Sequence, residues 1–591
     1  MKRKAVRRHC IIIAGLCFCE AALATVYPVK IGTNPRILVD QSNTPFLMTG
    51  DSPQSLIVNL SATNAAFYVA DRATNGFNTL LMDVICNTYT YGPPNASLVN
   101  GTLPFTNTLA GGYYDLTAPN PAYFSCVDGI INLCASNGIQ VMLDPIETGG
   151  WLPTMLANGT TNCRAYGQYL GNRYKNFPNI IWSNGNDFQN WSNSSNDAVV
   201  LAVASGIRDY DTNHLQTIEL NFYISSSLDD SNWAPIVGLN AAYTYSPTYA
   251  EVLHAYNQSS AIPTFLIEAN YEYETNAGTD GGSARILRMQ EYWTMLSGAT
   301  GQLYGNYYSV RFPSGWQNHL DSPGVTQLGY MANLFGSRAW YKLVPDQAHV
   351  FVTGGYGKFA SSGLIASNNY VTAAITPGGL LGLAYLPQGG TTTIAMTNLQ
   401  NNITARWFDP SANTFRTIAG SPFSNIGTQN FTSPGSNSAG DPDWVLVLEA
   451  TGDSPTLHIS LTATNTAVVT WPGYTLQQNT DLTTTSWVTV TNPIWAVSNE
   501  YQVFISPLMG QQFYRLASGS GTPSPRIFLA APNTAAVAWP GYILQQNSNL
   551  MAANWINATG VITVVGNEYQ VVVSPLIGQQ FYRLLYPEPG D

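Results

Sequence analysis

Residues 179–187 read Asn-Ile-Ile-Trp-Ser-Asn-Gly-Asn-Asp, an apolar run that stops at a polar tip ending in Asp187. The pattern recurs as Pro263-Thr-Phe-Leu-Ile-Glu268. Each reads as a short buried strand with a carboxylate at its C-terminal end. A (β/α)8 barrel gathers its functional groups in this way, because its active site is built from the C-terminal ends of its strands. Two carboxylates in one pocket point to glycoside hydrolysis, in which one protonates the leaving oxygen and the other attacks the anomeric carbon or activates a water.

A barrel's worth of elements is present to position them. Strand signals occur at 45–50, 77–84, 139–144, 180–183, 216–220, 238–243, 264–267 and 302–304. Helical periodicity separates most of them, at 65–74, 123–135, 163–174, 198–209 and 285–296. The link from the fifth strand to the sixth, residues 221–235, shows little helix and is expected to be a long polar loop. After Val344-Pro-Asp346 the helical signal ends, and short alternating runs among Gly, Pro, Asn and Thr predict a β-sandwich over 347–450. The tail repeats itself. Trp471-Pro-Gly-Tyr474 returns as Trp539-Pro-Gly-Tyr542, Trp487 as Trp555, and Gly510–Leu516 as Gly578–Leu584, all at an offset of 68 residues. Two copies of one small all-β module, 451–520 and 521–591, are expected, with the aromatic residues filling their cores.

The chain opens with five basic residues in its first eight, then an apolar stretch from Cys10 to Phe18 and an Ala22-Leu-Ala24 site. This is the pattern of a secretory signal peptide over 1–24, with a catalytic barrel expected over 25–346. No later run is long and apolar enough to predict a membrane span. Without residues 1–24 the balance is 18 basic against 33 acidic residues. That excess leaves no basic surface for phosphates, so nucleic acid is not an expected partner. Charged residues make up only 10% of the chain, against a usual ~25%. The abundant Asn, Thr, Ser, Tyr and Trp suit sugar binding and equally suit a β-rich exported protein. Cys86, Cys126, Cys134 and Cys163 remain after cleavage, at spacings that match no zinc pattern. One disulfide is allowed in an oxidising compartment, and Cys126 and Cys134 read as small buried hydrophobes on a helix.

The stretches Pro45–Asp51, Asp71–Asn78, Asn179–Asp187, Glu268-Ala-Asn-Tyr-Glu272, Gly298–Gly305 and Trp340–Asp346, with Ala405–Pro410 and Asp443–Leu448 further on, resemble the apiosidase-like glycoside hydrolases. In that family a (β/α)8 domain is followed by a small β-domain often labelled collagen-binding, and the likeness spans about 35–450. The resemblance implies a multidomain chain, a TIM barrel with β-domains behind it, acting on carbohydrate without metal or cofactor. It implies that Asp187 is the general acid/base and Glu268 the nucleophile of a retaining mechanism, with Glu272 as the alternative nucleophile or a sugar-binding group. Protonation of Asp187 would then call for a raised pKa, through partial burial or the neighbouring negative charge. Asp51 is implied as a substrate-binding or supporting carboxylate, unless it caps the following helix. Asn186, Glu147, Trp151, Tyr245, Tyr271 and Tyr307 stand near strand ends as further candidates to hold or stack on sugar.

The substrate would be a plant or microbial polysaccharide, with apiose-containing pectic side chains suggested by the family. The C-terminal modules would contact polysaccharide or a cell surface. A second reading is an adhesion protein with an inactive barrel and carbohydrate- or matrix-binding β-domains, against which the intact acid pair argues. A serine hydrolase is excluded by the lack of a G-x-S-x-G elbow in the barrel.

Overall fold

The structure is a computed structural model. It describes residues 25–451 except 89, 222–223, 259 and 276–279, and in the tail chiefly the strands. Residues 1–24, expected to be a signal peptide, together with Trp487, Trp555 and the Pro-Gly-Tyr of each repeated motif, lie outside the described residues. The chain divides into two compact units, one built on 25–452 and the other on 453–589.

After a short hairpin of Lys30–Ile31 with Leu38–Val39, the first unit has eight parallel strands: β1 (Met48–Asp51), β2 (Thr79–Asp83), β3 (Gln140–Asp144), β4 (Ile180–Asn184), β5 (Gln216–Ile218), β6 (Asn240–Thr244), β7 (Thr264–Glu268) and β8 (Gly301–Tyr304). They lie in the order β5-β4-β3-β2-β1-β8-β7-β6. Between them run α1 (Ala62–Thr74), α2 (Pro121–Ser136), α3 (Thr148–Tyr174), α4 (Ser194–Tyr210), α5 (Thr248–Asn257), α6 (Ala284–Leu296) and, after β8, α7 (Pro323–Gly336). Several helices start where the side chain of a preceding residue takes an orphan backbone N–H: Ser61 for α1, Asn120 for α2, Asn193 for α4, Ser283 for α6 and Ser322 for α7.

The ring closes between β5 and β6. Instead of a featureless loop, the segment after β5 forms a strand, Ile224–Ser226, antiparallel to β6, followed by two 3-10 turns. Beyond it a parallel bridge joins Gln216 to Val237, with the Gly238 N–H donating to the Gln216 carbonyl at 2.9 Å. Ser227 pins this corner, its Oγ donating to the Ile218 carbonyl at 2.6 Å and accepting from the Ala241 N–H at 2.9 Å.

Alternation along each strand sorts side chains into two layers. Met48, Leu81, Met142, Ile181, Ala241, Phe265 and Leu303 fill the barrel interior. Leu80, Met82, Val141, Leu143, Trp182 and Ile218 pack outward under the helices. Counting by two from the inward set directs Asp83 and Asp144 into the barrel, and Glu219, next after the outward Ile218, with them. Register keeps these ends level, since Asp83 pairs with Asp144 across β2 and β3.

The same unit continues as a β-sandwich. One sheet is built from Val344–Pro345, Thr372–Ile375, Leu381–Leu386, Trp444–Thr451, Asn402–Asp409 and Thr414–Thr417, the other from Val352–Gly354, Thr391–Ala395 and Thr428–Thr432. It docks directly on α6 and α7. Tyr292 stacks on Tyr385 at 5.0 Å, and Trp293 Nε1 donates to the Tyr370 carbonyl at 3.1 Å. Arg288, 1% exposed, grips Asp443 through two nitrogens at 3.0 and 2.8 Å and Asp441 at 2.7 Å. A chain ending at Asp346 would leave that guanidinium without its two carboxylates and uncover the apolar faces of α6 and α7, so it is expected to aggregate and lose activity. A chain ending near Ala450 keeps this interface and is expected to remain soluble with an unchanged rate on small substrates. Size-exclusion chromatography and assays of both truncations check the two outcomes.

In the second unit, strands recur at the 68-residue offset, for example Thr466–Trp471 with Thr534–Trp539 and Glu500–Ile505 with Glu568–Val573. Each repeat contributes four strands to one eight-stranded antiparallel sheet and three to a sheet of its own.

Three sequence expectations change. Cys86, Cys126, Cys134 and Cys163 are all free thiols, and Cys126 is exposed rather than buried. Trp151 lies in the first turn of α3, not at a strand end. Asp51 faces the helices rather than the barrel mouth, being three residues from the inward-facing Met48.

Candidate active site

Glu268 ends β7, where a β-bulge places Ile267 and Glu268 opposite the single residue Tyr243. Regular alternation after Phe265 and Ile267 would turn Glu268 outward; the bulge re-aims it into the mouth. There it meets three phenols. Tyr243 and Tyr245 donate to Oε1 at 2.9 and 2.6 Å, and Tyr271 donates to Oε2 at 2.6 Å. Burial, then the charge of Asp187, raises the Glu268 pKa to about 8, while the three hydroxyls pull the other way by favouring the carboxylate.

Asp187 stands on a turn beyond β4 in which Gly185, Asn186 and Asp187 take φ values of 100°, 53° and 53°. A Cβ at Gly185 would fall 2.4 Å from the Glu219 carbonyl oxygen, so the turn requires glycine there. Left-handed backbone at two consecutive non-glycine residues persists only when the surroundings hold it. The Glu219 N–H donates to the Asn184 carbonyl at 2.8 Å, the Thr148 N–H to Gly185 at 2.8 Å, and Thr148 Oγ1 to Asn186 at 3.0 Å. The half-buried Asp187 also raises the pKa values of Glu147 and Glu219, so it shares their electrostatic environment.

Several sequence candidates have other work. Asp51 accepts from Tyr68, Ser52 at 2.8 Å and Ser309 at 3.3 Å, and pairs with the buried Arg72 at 3.3 Å. It fastens β1 to α1 and is not offered to a ligand. Glu272 accepts from Tyr304, Ser322 and, at 3.0 Å, the Gly324 N–H at the start of α7. A carboxylate at a helix N-terminus is favoured electrostatically, so Glu272 ties β8 to α7 instead of binding a hydroxyl. Glu147 is the N-cap of α3, accepting from the Gly150 N–H, the Asn87 N–H at 3.2 Å and Thr90 Oγ1 at 3.1 Å, with burial raising it to about 7. Asn186 turns its amide nitrogen to Asp83, at 3.2 and 3.3 Å. Trp151 is buried and stacks on Tyr114 at 5.5 Å. Tyr307 remains at the rim, its ring 4.1 Å beneath the Arg311 guanidinium.

Sequence reasoning overlooked Asp83, Asp144, Glu219 and Tyr243. The missed signal is the one that led to Glu268: Thr79-Leu-Leu-Met-Asp83, Gln140-Val-Met-Leu-Asp144 and Gln216-Thr-Ile-Glu219 are apolar runs ending in an acid. All three acids are buried, and their pKa values are raised chiefly by desolvation. A small pocket lies behind β7 and β8, lined by Leu266, Asn270, Tyr271, Glu291, Gln302 and Leu328 among others. It sits between sheet and helices and does not reach Asp187. Among the described residues one trio has metal-ligand character, Asp229, Glu251 and His254. His254 already pairs with Asp229 at 2.7 Å, which accounts for that pair as an ion pair near α5.

Residues 32–342 match the family described as "Apiosidase-like, catalytic domain". The chain belongs to the apiosidase-like family. Residues 363–449 match a second family, described as "Putative collagen-binding domain of a collagenase". Among solved structures the chain is similar to a glycoside hydrolase at 21% identity, with a TM-score of 0.61 over 72% of this chain and 97% of that one. It is also similar to a family 5 glycoside hydrolase from Bacteroides vulgatus at 20% identity, with a TM-score of 0.60 over 71% and 93%. At these identities the likeness of this apiosidase-like chain to them is one of fold. No curated protein matches it. Among the described residues no helix is long and apolar enough to cross a membrane.

Proposed function

We propose that the protein is a secreted, retaining glycoside hydrolase in which Asp187 is the general acid/base and Glu268 the nucleophile. One observation carries the reading: the charge of Asp187, on the turn that follows β4, acts on the buried Glu268 at the end of β7. Glu268 is held by three hydroxyl donors, which stabilise an anion. The attacking role, which needs the anion, is assigned to Glu268, and the acid role to Asp187. Attack by Glu268 on the anomeric carbon forms the glycosyl ester while Asp187 protonates the departing oxygen. Asp187 then takes a proton from the water that hydrolyses the ester. Glu272, occupied at the start of α7, has no part in this.

The family match supports carbohydrate as substrate, and apiose-containing pectic side chains are the proposed class within it. The basic N-terminal segment supports export, and the C-terminal modules are proposed to hold polysaccharide or a cell surface. A hydrolysis screen over pectic and hemicellulosic oligosaccharides tests the reading, with release of a monosaccharide expected and no cleavage of any glycoside contradicting it.

The pH profile follows from the same geometry. Glu268 must be ionised to attack, so kcat/KM is expected to fall as pH drops through its raised pKa. Tyr245→Phe removes a donor to the anion and so raises that pKa further. The acidic limb should move up by roughly half a unit to one unit, the equivalent of one hydrogen bond. An unmoved limb would show that the Tyr245 hydroxyl does not tune the reacting carboxylate.

A further inference from the structure

Glu219 directly follows β5, 1% exposed, and among the described residues neither of its carboxyl oxygens has a hydrogen-bond partner. Most of the acids around it are engaged: Asp83 by Asn186, Glu147 by Thr90 and two backbone N–H groups, Glu268 by three tyrosines, and Asp144 through one oxygen by the Ile146 N–H. A buried carboxyl without partners is unfavourable, so its position calls for a reason. Its main chain supplies part of one. The N–H donates to the Asn184 carbonyl at 2.8 Å, and the carbonyl accepts from the Phe188 N–H at 3.4 Å, so Glu219 brackets the turn that carries Asp187. Its side chain shares the inward face of the barrel, and the charges acting on it are first Glu268 and then Asp187. The reacting carbon of a substrate must lie between those two.

We propose that Glu219 is a sugar-binding residue of this site, its carboxyl meeting a hydroxyl of the ring seated between Asp187 and Glu268. This rests on the glycosidase reading and adds a contact to it. Burial beside four other acids keeps the group protonated, so it offers an O–H donor and a carbonyl acceptor at once. A sugar hydroxyl, itself donor and acceptor, satisfies both. The ring is an uncharged one, because a uronate would bring another anion into a pocket already crowded with carboxyls.

The test uses the full chain as wild type, Glu219→Gln and Glu219→Ala, with free D-xylose, L-arabinose, D-galactose, L-rhamnose and D-galacturonate as probes. Binding is read by saturation-transfer NMR, which needs no turnover, and folding by thermal melting. At least one neutral sugar is expected to bind and galacturonate not to. Affinity should fall roughly tenfold in Glu219→Ala, the equivalent of one buried hydrogen bond. Glu219→Gln, which keeps a donor and an acceptor in the same space, should stay within about threefold. Unchanged affinity in a folded Glu219→Ala, equal losses in both variants, or no sugar bound by the wild type would overturn the proposal. Should Glu219→Ala fail to fold, Glu219→Gln with kcat as low as Glu268→Gln would overturn it, since a binding group changes mainly KM. Glu219-dependent binding without hydrolysis of any glycoside would sink the glycosidase reading and leave this contact standing.

Discussion

Glu268→Gln is expected to lower kcat by a factor on the order of 10⁴–10⁶, the loss that follows removal of a covalent nucleophile. Glutamine keeps the volume and can still accept from a phenol, so the melting temperature should change little. Glu272→Gln gives the opposite pattern. Its carboxylate bridges Tyr304, Ser322 and Gly324 away from the reacting pair. The neutral amide loses charge-assisted bonds, so stability should fall by about 1–3 kcal/mol while kcat remains near wild type. Steady-state kinetics and melting curves of the two variants separate these outcomes, and an inactive but stable Glu272→Gln would reverse the assignment.

Asp187→Ala should reduce turnover of a natural, poorly activated substrate by roughly 10²–10⁴, the usual contribution of a positioned general acid. The loss should shrink on an aryl glycoside with an acidic phenol, because that leaving group departs with little help from a proton. Added azide should then restore part of the rate, since a small anion can attack the glycosyl ester once the Asp187 carboxylate no longer serves as the base. Near wild-type activity on the unactivated substrate would remove Asp187 from the role.

The barrel was legible because parallel strands buried on both faces write themselves as short apolar runs, and all eight expected strands are present, within a few residues. The level of each acid was legible for the same reason. Its direction was harder to read. Asp51 and Glu268 both end strands, yet one faces α1 and the other the mouth, and a single-residue bulge opposite Tyr243 makes the difference for Glu268. A bulge leaves no mark in composition. Glu272 and Glu147 looked like ligands because nothing in sequence shows that one caps α7 and the other α3. Glu219 could have been found by the rule that found Glu268. Its run, Gln216-Thr-Ile-Glu219, is shorter and half polar, since β5 is the narrow strand at the seam where the ring closes.

The claim at the centre of this account is a double displacement through Glu268. The most direct measurement is proton NMR of the anomer first released from a glycoside of known configuration, recorded before mutarotation. The account predicts that the new hemiacetal appears with the configuration of the substrate. First appearance of the opposite anomer would mean that water attacks in a single step, and Glu268 could not be the nucleophile.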